Sequence, residues 1–180
     1  MIFEALSLSG AFLIKPERRS DERGYFARTF CQREFGELGL PTEFAQCSSS
    51  FNLKAGTLRG MHFQKSPGME AKLVRVTRGS VFDVLVDLRR ASPTFGKWLG
   101  FELSAENGHS LFIPRGFAHG FQTLQDHTEV YYQITAFYEP NLAAGFSFSD
   151  PQLAIPWPVS NPITNEADRG RPLFAEIQPL

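Results

Sequence analysis

Two of the four histidines sit where an imidazole could do chemistry. His62 lies in Leu58-Arg59-Gly60-Met61-His62-Phe63-Gln64, among apolar and aromatic neighbours. His119 lies in Ile113-Pro114-Arg115-Gly116-Phe117-Ala118-His119-Gly120-Phe121, between small residues that let a ligand approach closely. Imidazole titrates near neutrality, so either ring could move a proton at physiological pH. A lone histidine in a strand is more often a satisfied structural residue, and the glycines near His119 also suit tight turns. In a pleat of period two, Gly60, His62 and Gln64 share one face while Arg59 and Met61 share the other. If Arg59 and His62 reach one ligand, a bulge or a strand end must intervene.

Lys72 and Tyr132 add a cation and a weak acid. Lys72 opens Lys72-Leu73-Val74-Arg75-Val76-Thr77 and shares a face with Val74 and Val76 under ideal alternation. An ammonium pointing into an apolar barrel needs an anionic partner or ligand, whereas a solvent-facing lysine at a strand start needs neither. Tyr132 shares its face with Val130 and Ile134, which puts its ring inside and leaves a phenol to be partnered, as in many cores.

Other chemistries find less support. Gln64 and Phe121 stand two residues after His62 and His119, so no His-x-His pair exists, and His109 and His127 fall in polar loops; no metal site is predicted. Cys31 and Cys47 form no Cys-x-x-Cys or Cys/His cluster, which argues against structural zinc or a disulfide framework and for reduced thiols in a cytoplasmic protein. No glycine-rich dinucleotide fingerprint occurs. A formal charge of -1 disfavours broad phosphate neutralisation, so the expected partner is a small molecule, not nucleic acid. The N-terminal stretch has neither a basic leader nor an apolar run long enough to span a bilayer, so neither export nor membrane insertion is expected.

The elements that must position these residues read as short strands. The 180 residues, 42% of them hydrophobic, suit one domain over 1–180, and 15 Gly, 12 Pro and 18 Phe are spread along the whole chain. Strands are predicted over Lys72 to Thr77, Ser80 to Arg89, Trp98 to Leu103, Ser110 to Ile113, Gly120 to Leu124 and Glu129 to Thr135, each bounded by turn residues. The first two read as a hairpin around Arg78-Gly79. Before the tail, short helices are expected only at Arg33 to Leu38 and Leu142 to Gly145, and the tail from Pro156 to Leu180 is expected as irregular structure or short helices. The pattern predicts an all-β antiparallel sandwich or barrel, with the Pro-rich tail from Pro156 wrapped around it.

Several segments together resemble the dTDP-4-dehydrorhamnose 3,5-epimerase family, in its order and approximate spacing. They are the two histidine segments, Lys72 to Val76, Phe82-Asp83-Val84, Ser92-Pro93-Thr94-Phe95-Gly96-Lys97-Trp98 and Asp150-Pro151. The likeness runs from about Asp21-Glu22-Arg23-Gly24-Tyr25-Phe26 to Asp168. It implies a cupin jelly-roll barrel with a few short peripheral helices, and an N-terminal arm and strands (about 1–50) at a homodimer interface. The barrel core would occupy about 51–140 and the C-terminal wrap 141–180. It also implies no cofactor, no metal, and epimerisation of a nucleotide-linked 4-keto-6-deoxyhexose.

Carried over residue by residue, the resemblance makes His62 the base, Asp168 the carboxylate that orients it, Tyr132 the proton donor and Lys72 the cation facing the keto oxygen. Arg23 and Arg59 would hold the diphosphate, with His119, Gln46 and Arg169 also binding substrate. The chemistry suits these roles, because a C4 ketone acidifies C3 and C5, a near-neutral base can take the proton, and a fixed cation stabilises the enolate. The base-binding end departs from the family pattern. Arg18-Arg19-Ser20 replaces an aromatic approach to Asp21, Arg28 stands at an acidic position, Ser48-Ser49-Ser50 follows Gln46-Cys47, and Ala143 replaces another acid. A different nucleotide (CDP-, GDP- or UDP-linked), inversion at C3 alone, and a non-catalytic sugar-nucleotide binding cupin are therefore the alternative expectations. A metal-dependent cupin ranks below them for lack of the His-x-His pair.

Overall fold

The computed structural model describes residues 1–180, and its regular secondary structure is almost entirely strands. In chain order they are β1 (Ile2–Ala5), β2 (Phe12–Lys15), β3 (Arg19–Asp21), β4 (Gly24–Phe26), β5 (Gln46–Asn52), β6 (Leu58–Gln64), β7 (Lys72–Arg78) and β8 (Ser80–Asp87). They continue with β9 (Trp98–Ser104), β10 (Ser110–Ile113), β11 (Phe117–Thr123), β12 (Thr128–Ile134) and β13 (Ala143–Gly145). Helix α1 (Gln32–Glu37) precedes β5, and α2 (Glu166–Arg169) and a 3-10 turn (Phe174–Glu176) follow β13. No helix is long and apolar enough to cross a membrane.

Period-two alternation sorts eleven of these strands into two antiparallel sheets, ordered β1-β2-β10-β7-β12-β5 and β13-β6-β11-β8-β9, while β3 and β4 pair as a separate arm. The faces turned toward each other bury Val74 and Val76 of β7, Leu85 of β8, Leu111 of β10, Phe121 of β11 and Val130 of β12. This is the predicted all-β cupin jelly roll. The apolar residues of opposite parity need covers of their own. Met61, Val84, Val86 and Ala118, on the outer face of the five-stranded sheet, pack under Phe146, Leu153 and Phe174 of the C-terminal segment. On the other sheet, Phe35 of α1 lies on Leu73 and Phe112, and Phe30 meets Phe35 and Phe44 edge to face at 4.9 and 5.1 Å. Much of the aromatic enrichment therefore serves the two outer layers as well as the centre.

Two local expectations are corrected. Strands β7 and β8 do not form a hairpin. The former pairs with β10 and β12 and the latter with β9 and β11, so the chain crosses from one sheet to the other at Gly79. Val76 and Val81 can then meet in the central core, an arrangement that side-by-side pairing would not provide. Gly79 permits the crossing with φ +75, and a Cβ there would collide with Thr128. The second correction concerns Leu142 to Gly145, whose expected helix is the edge strand β13. Its pairing with Phe63 and His62 of β6 overrides the helical propensity of Leu-Ala-Ala, and any Cβ at Gly145 would strike the Met61 carbonyl. Helix α1 falls within one residue of its expected position.

Candidate active site

Between two paired positions, one residue of β11 (Gly120) faces two of β6 (Gly60 and Met61). His119 lies opposite His62 and Phe121 opposite Arg59, with a register shift between. This is the bulge that the sequence demands if Arg59 and His62 are to share a face. Gly60 makes it possible, with φ +148 and an added Cβ only 2.7 Å from the Cα of Gly120. Met61 turns outward into the layer beneath the C-terminal segment. Arg59 donates from Nε to Asn52 Oδ1 at 2.8 Å.

His62 opens onto a cavity of about 280 Å³ at the barrel mouth, which Gln46, Glu70, Lys72, Tyr138 and Arg171 also line. Its Nε2 is 2.6 Å from Asp168 Oδ1, leaving Nδ1 as the free ring nitrogen. The His62 side chain is 39% exposed and that of Asp168 only 3%, so one end of the pair meets the cavity and the other is locked away. Asp168 sits in α2, which Asn165 caps by accepting the Asp168 backbone N–H at 2.7 Å. Burial pushes the Asp168 carboxyl up, but hydrogen bonding to and charge on His62, the Gly60 N–H and the positive charge of Arg171 outweigh it and hold the group below the ordinary carboxylate range.

The opposite wall comes from the six-stranded sheet. Lys72 and Tyr132 point inward from β7 and β12, as parity requires, and Tyr132 packs against the central core. Burial, reinforced by the charge of Asp83 and partly opposed by Arg59, raises the Tyr132 phenol far above its usual range, so it stays protonated. The Lys72 ammonium lies 3.0 Å from Glu70 Oε1, with side chains 14% and 8% exposed. Glu70 is thus the anionic partner that a buried Lys72 needs, and its other oxygen is buried without a partner. His119 is buried beneath the ring of Tyr132, edge-on at 6.1 Å, with its Nε2 2.9 Å from both oxygens of Asp83.

The structure brings His62, Asp168, Lys72, Tyr132, His119, Arg59 and Gln46 to the barrel interior or its mouth. Gln46 accepts from the Tyr138 backbone N–H at 2.7 Å. Two expected binding residues stand elsewhere in this chain. Arg23 is 83% exposed on the β3–β4 arm and pairs with its own Asp21, while Arg169 is exposed at the end of α2. Sequence reading missed Gln64, Glu70, Tyr138 and Arg171. Gln64 fastens the rim, accepting from Glu139 N at 2.6 Å and donating to the carbonyls of Gly68 and Phe137. Gln64 and Glu70 stand two residues from His62 and Lys72, and that parity was a usable signal. Arg171 had none, because its place depends on the path of the tail after α2.

An imidazole backed by a buried carboxylate, sharing its cavity with an ammonium and set on the sheet opposite a protonated phenol, can take a proton from carbon, stabilise the resulting oxyanion and return a proton from another side. A sequence profile of the family described as dTDP-4-dehydrorhamnose 3,5-epimerase matches residues 5–176. The dTDP-4-dehydrorhamnose 3,5-epimerase of Methanothermobacter thermautotrophicus is 47% identical over 93% of this chain and 91% of its own length. The crystal structure of the Bacillus anthracis enzyme of that name, with TDP and PPi bound, superposes with a TM-score of 0.93 at 41% identity, covering 96% of this chain and all of its own. A dTDP-6-deoxy-D-glucose-3,5-epimerase from Legionella pneumophila, in complex with dTDP-4-keto-L-rhamnose, gives 0.92 at 38% identity over 98% of this chain and 94% of its own. The chain belongs to the dTDP-4-dehydrorhamnose 3,5-epimerase family.

Proposed function

We propose that this protein inverts C3 and C5 of dTDP-4-dehydro-6-deoxy-D-glucose to give dTDP-4-dehydro-L-rhamnose. The observation that carries the reading is the placement of the His62–Asp168 pair and Tyr132 on opposite walls of one barrel, with the Lys72 ammonium at the same mouth. His62 takes the C3 or C5 proton, and the electron pair of the broken C–H bond moves into the ring and onto O4. Asp168 stabilises the imidazolium that forms, and Lys72 supplies positive charge to the enolate oxygen. Tyr132 then delivers a proton to the opposite face of the same carbon, and proton return through solvent resets both groups. Each centre gains and loses one proton, so no electron acceptor is needed. Arg59 binds the diphosphate and His119 contacts the sugar in this reading.

Incubating the protein with dTDP-4-dehydro-6-deoxy-D-glucose and following the sugar ring protons by NMR tests the assignment. Appearance of the L-rhamno product supports it, and an unchanged sugar at stoichiometric enzyme contradicts it.

The working form in this reading is a homodimer. Its support is the β3–β4 arm, which leaves Tyr25 55% and Phe26 71% exposed and carries Arg23 away from its own cavity. A second copy would cover the two rings and receive Arg23 at its pocket. Light scattering at the dimer mass supports this arrangement, and a monomer that retains full activity contradicts it.

A further inference from the structure

Among the cationic groups lining the cavity, Arg171 is the one without a carboxylate at close range. His62 is bonded to Asp168 and Lys72 to Glu70. Arg171 Nε is buried and unpartnered, and its side chain is only 28% exposed. The nearest carboxylate oxygen, Asp168 Oδ1, lies 3.9 Å away, beyond hydrogen-bond reach, and is already engaged by His62 at 2.6 Å. A guanidinium removed from most of its water without an acceptor is unfavourable unless something else supplies one.

The fold holds the group in place. Ser147 N donates to the neighbouring Pro172 carbonyl at 2.8 Å, which ties this stretch of the tail to the end of β13. The guanidinium lies close over Gly145, where a Cβ would come within 3.1 Å of Nε and 3.3 Å of Cζ. Arg171 lines the 280 Å³ cavity of His62 and also an adjoining cavity of about 710 Å³, and Phe63, Ala143 and Ala144 line both. Lys65 adds a second cation to the larger one. A planar fork of donors at the junction of two cavities suits oxygen acceptors arriving from outside.

Resting on the functional reading above, we propose that Arg171 is a binding residue for the nucleoside diphosphate end of the substrate, donating to phosphate or base-carbonyl oxygens as they pass the His62–Asp168 pair. Calorimetric titration with dTDP and with thymidine tests this on the native protein, Arg171→Gln and Arg171→Lys. The expected result is at least a tenfold rise in Kd for dTDP in Arg171→Gln, with a smaller rise in Arg171→Lys, which keeps the charge but lacks the fork. Thymidine binding that is unchanged assigns the contact to phosphate, and a matching loss assigns it to the base; either outcome supports the proposal. Both variants binding dTDP within twofold of the native protein would overturn it while leaving the epimerase reading intact. Native protein that binds neither ligand would overturn both.

Discussion

In the proposed reaction, Asp168 and His62 divide one task between a buried end and an open one. The carboxylate is held ionised below its ordinary range, so it can accept the imidazole N–H and stabilise the imidazolium without taking the proton itself. Asp168→Asn keeps the shape and removes the charge. Its expected effect is a fall in kcat of about 10²–10⁴-fold with little change in KM, read by steady-state kinetics. Tyr132 has the complementary environment, since burial and the nearby charge of Asp83 keep its phenol neutral and ready to donate. Tyr132→Phe removes that proton while leaving the base in place. Solvent deuterium should still enter the recovered substrate in this variant, while formation of inverted product falls about 10²-fold or more; equal loss of both would contradict a separate donor.

At the scale of elements, the β6 bulge decides whether Arg59 and His62 work together. Gly60→Ala would force a side chain into a backbone conformation that favours glycine, 2.7 Å from Gly120 Cα. Loss of most activity and a thermal midpoint lowered by several degrees are expected, and a variant with both intact would refute the role assigned to the bulge. The turn after β8 carries a second element-scale prediction. Burial opposes ionisation of Asp87, yet bonds from Arg89, Ser92 and Thr94 prevail and bring its carboxyl down from 3.8 to about 2. A carboxyl depressed on folding contributes stability above its unfolded value, and that contribution fades as pH falls toward about 2. Asp87→Asn should therefore lose about 2 kcal/mol near neutrality and show a flatter decline in denaturation midpoint between pH 4 and pH 2 than the native chain.

Parity along single strands was the legible part of this level. The inward faces of β7 and β12, and the need for a bulge in β6, follow from alternation within a few residues. Pairing partners were not legible, because β7 and β8 each alternate as a hairpin would, and only the competition among all strands for two faces separates them. For the same reason Ala143 to Gly145 reads locally as a helical turn and becomes a strand only beside β6.

At the scale of the whole molecule, the groups proposed to be catalytic come from distant stretches of chain, and the fold brings them to one end of the barrel. His62 belongs to one sheet, Lys72 and Tyr132 to the other, and Asp168 to a helix of the C-terminal segment that reaches back across the barrel end. Family resemblance supplied Asp168 where local pattern could not, since nothing about Asn165-Glu166-Ala167-Asp168 alone announces a partner for His62. It gave no notice of Arg171, whose position is set by the tail path and by the absence of a side chain at Gly145. The near-zero net charge likewise hides a local cluster of opposed charges in the barrel and at its mouth, Arg59, Lys72 and Arg171 set against Glu70, Asp83 and Asp168.

The central claim is that His62 removes protons from the carbons beside a C4 ketone. Incubation in deuterated water with dTDP-4-dehydro-6-deoxy-D-glucose, followed by NMR and mass analysis, tests it most directly. The native protein should place deuterium at both C3 and C5, and His62→Ala, folded as judged by its melting curve, should place it at neither. Deuterium absent from both carbons with the native protein, or incorporated by His62→Ala at the native rate, would contradict the account.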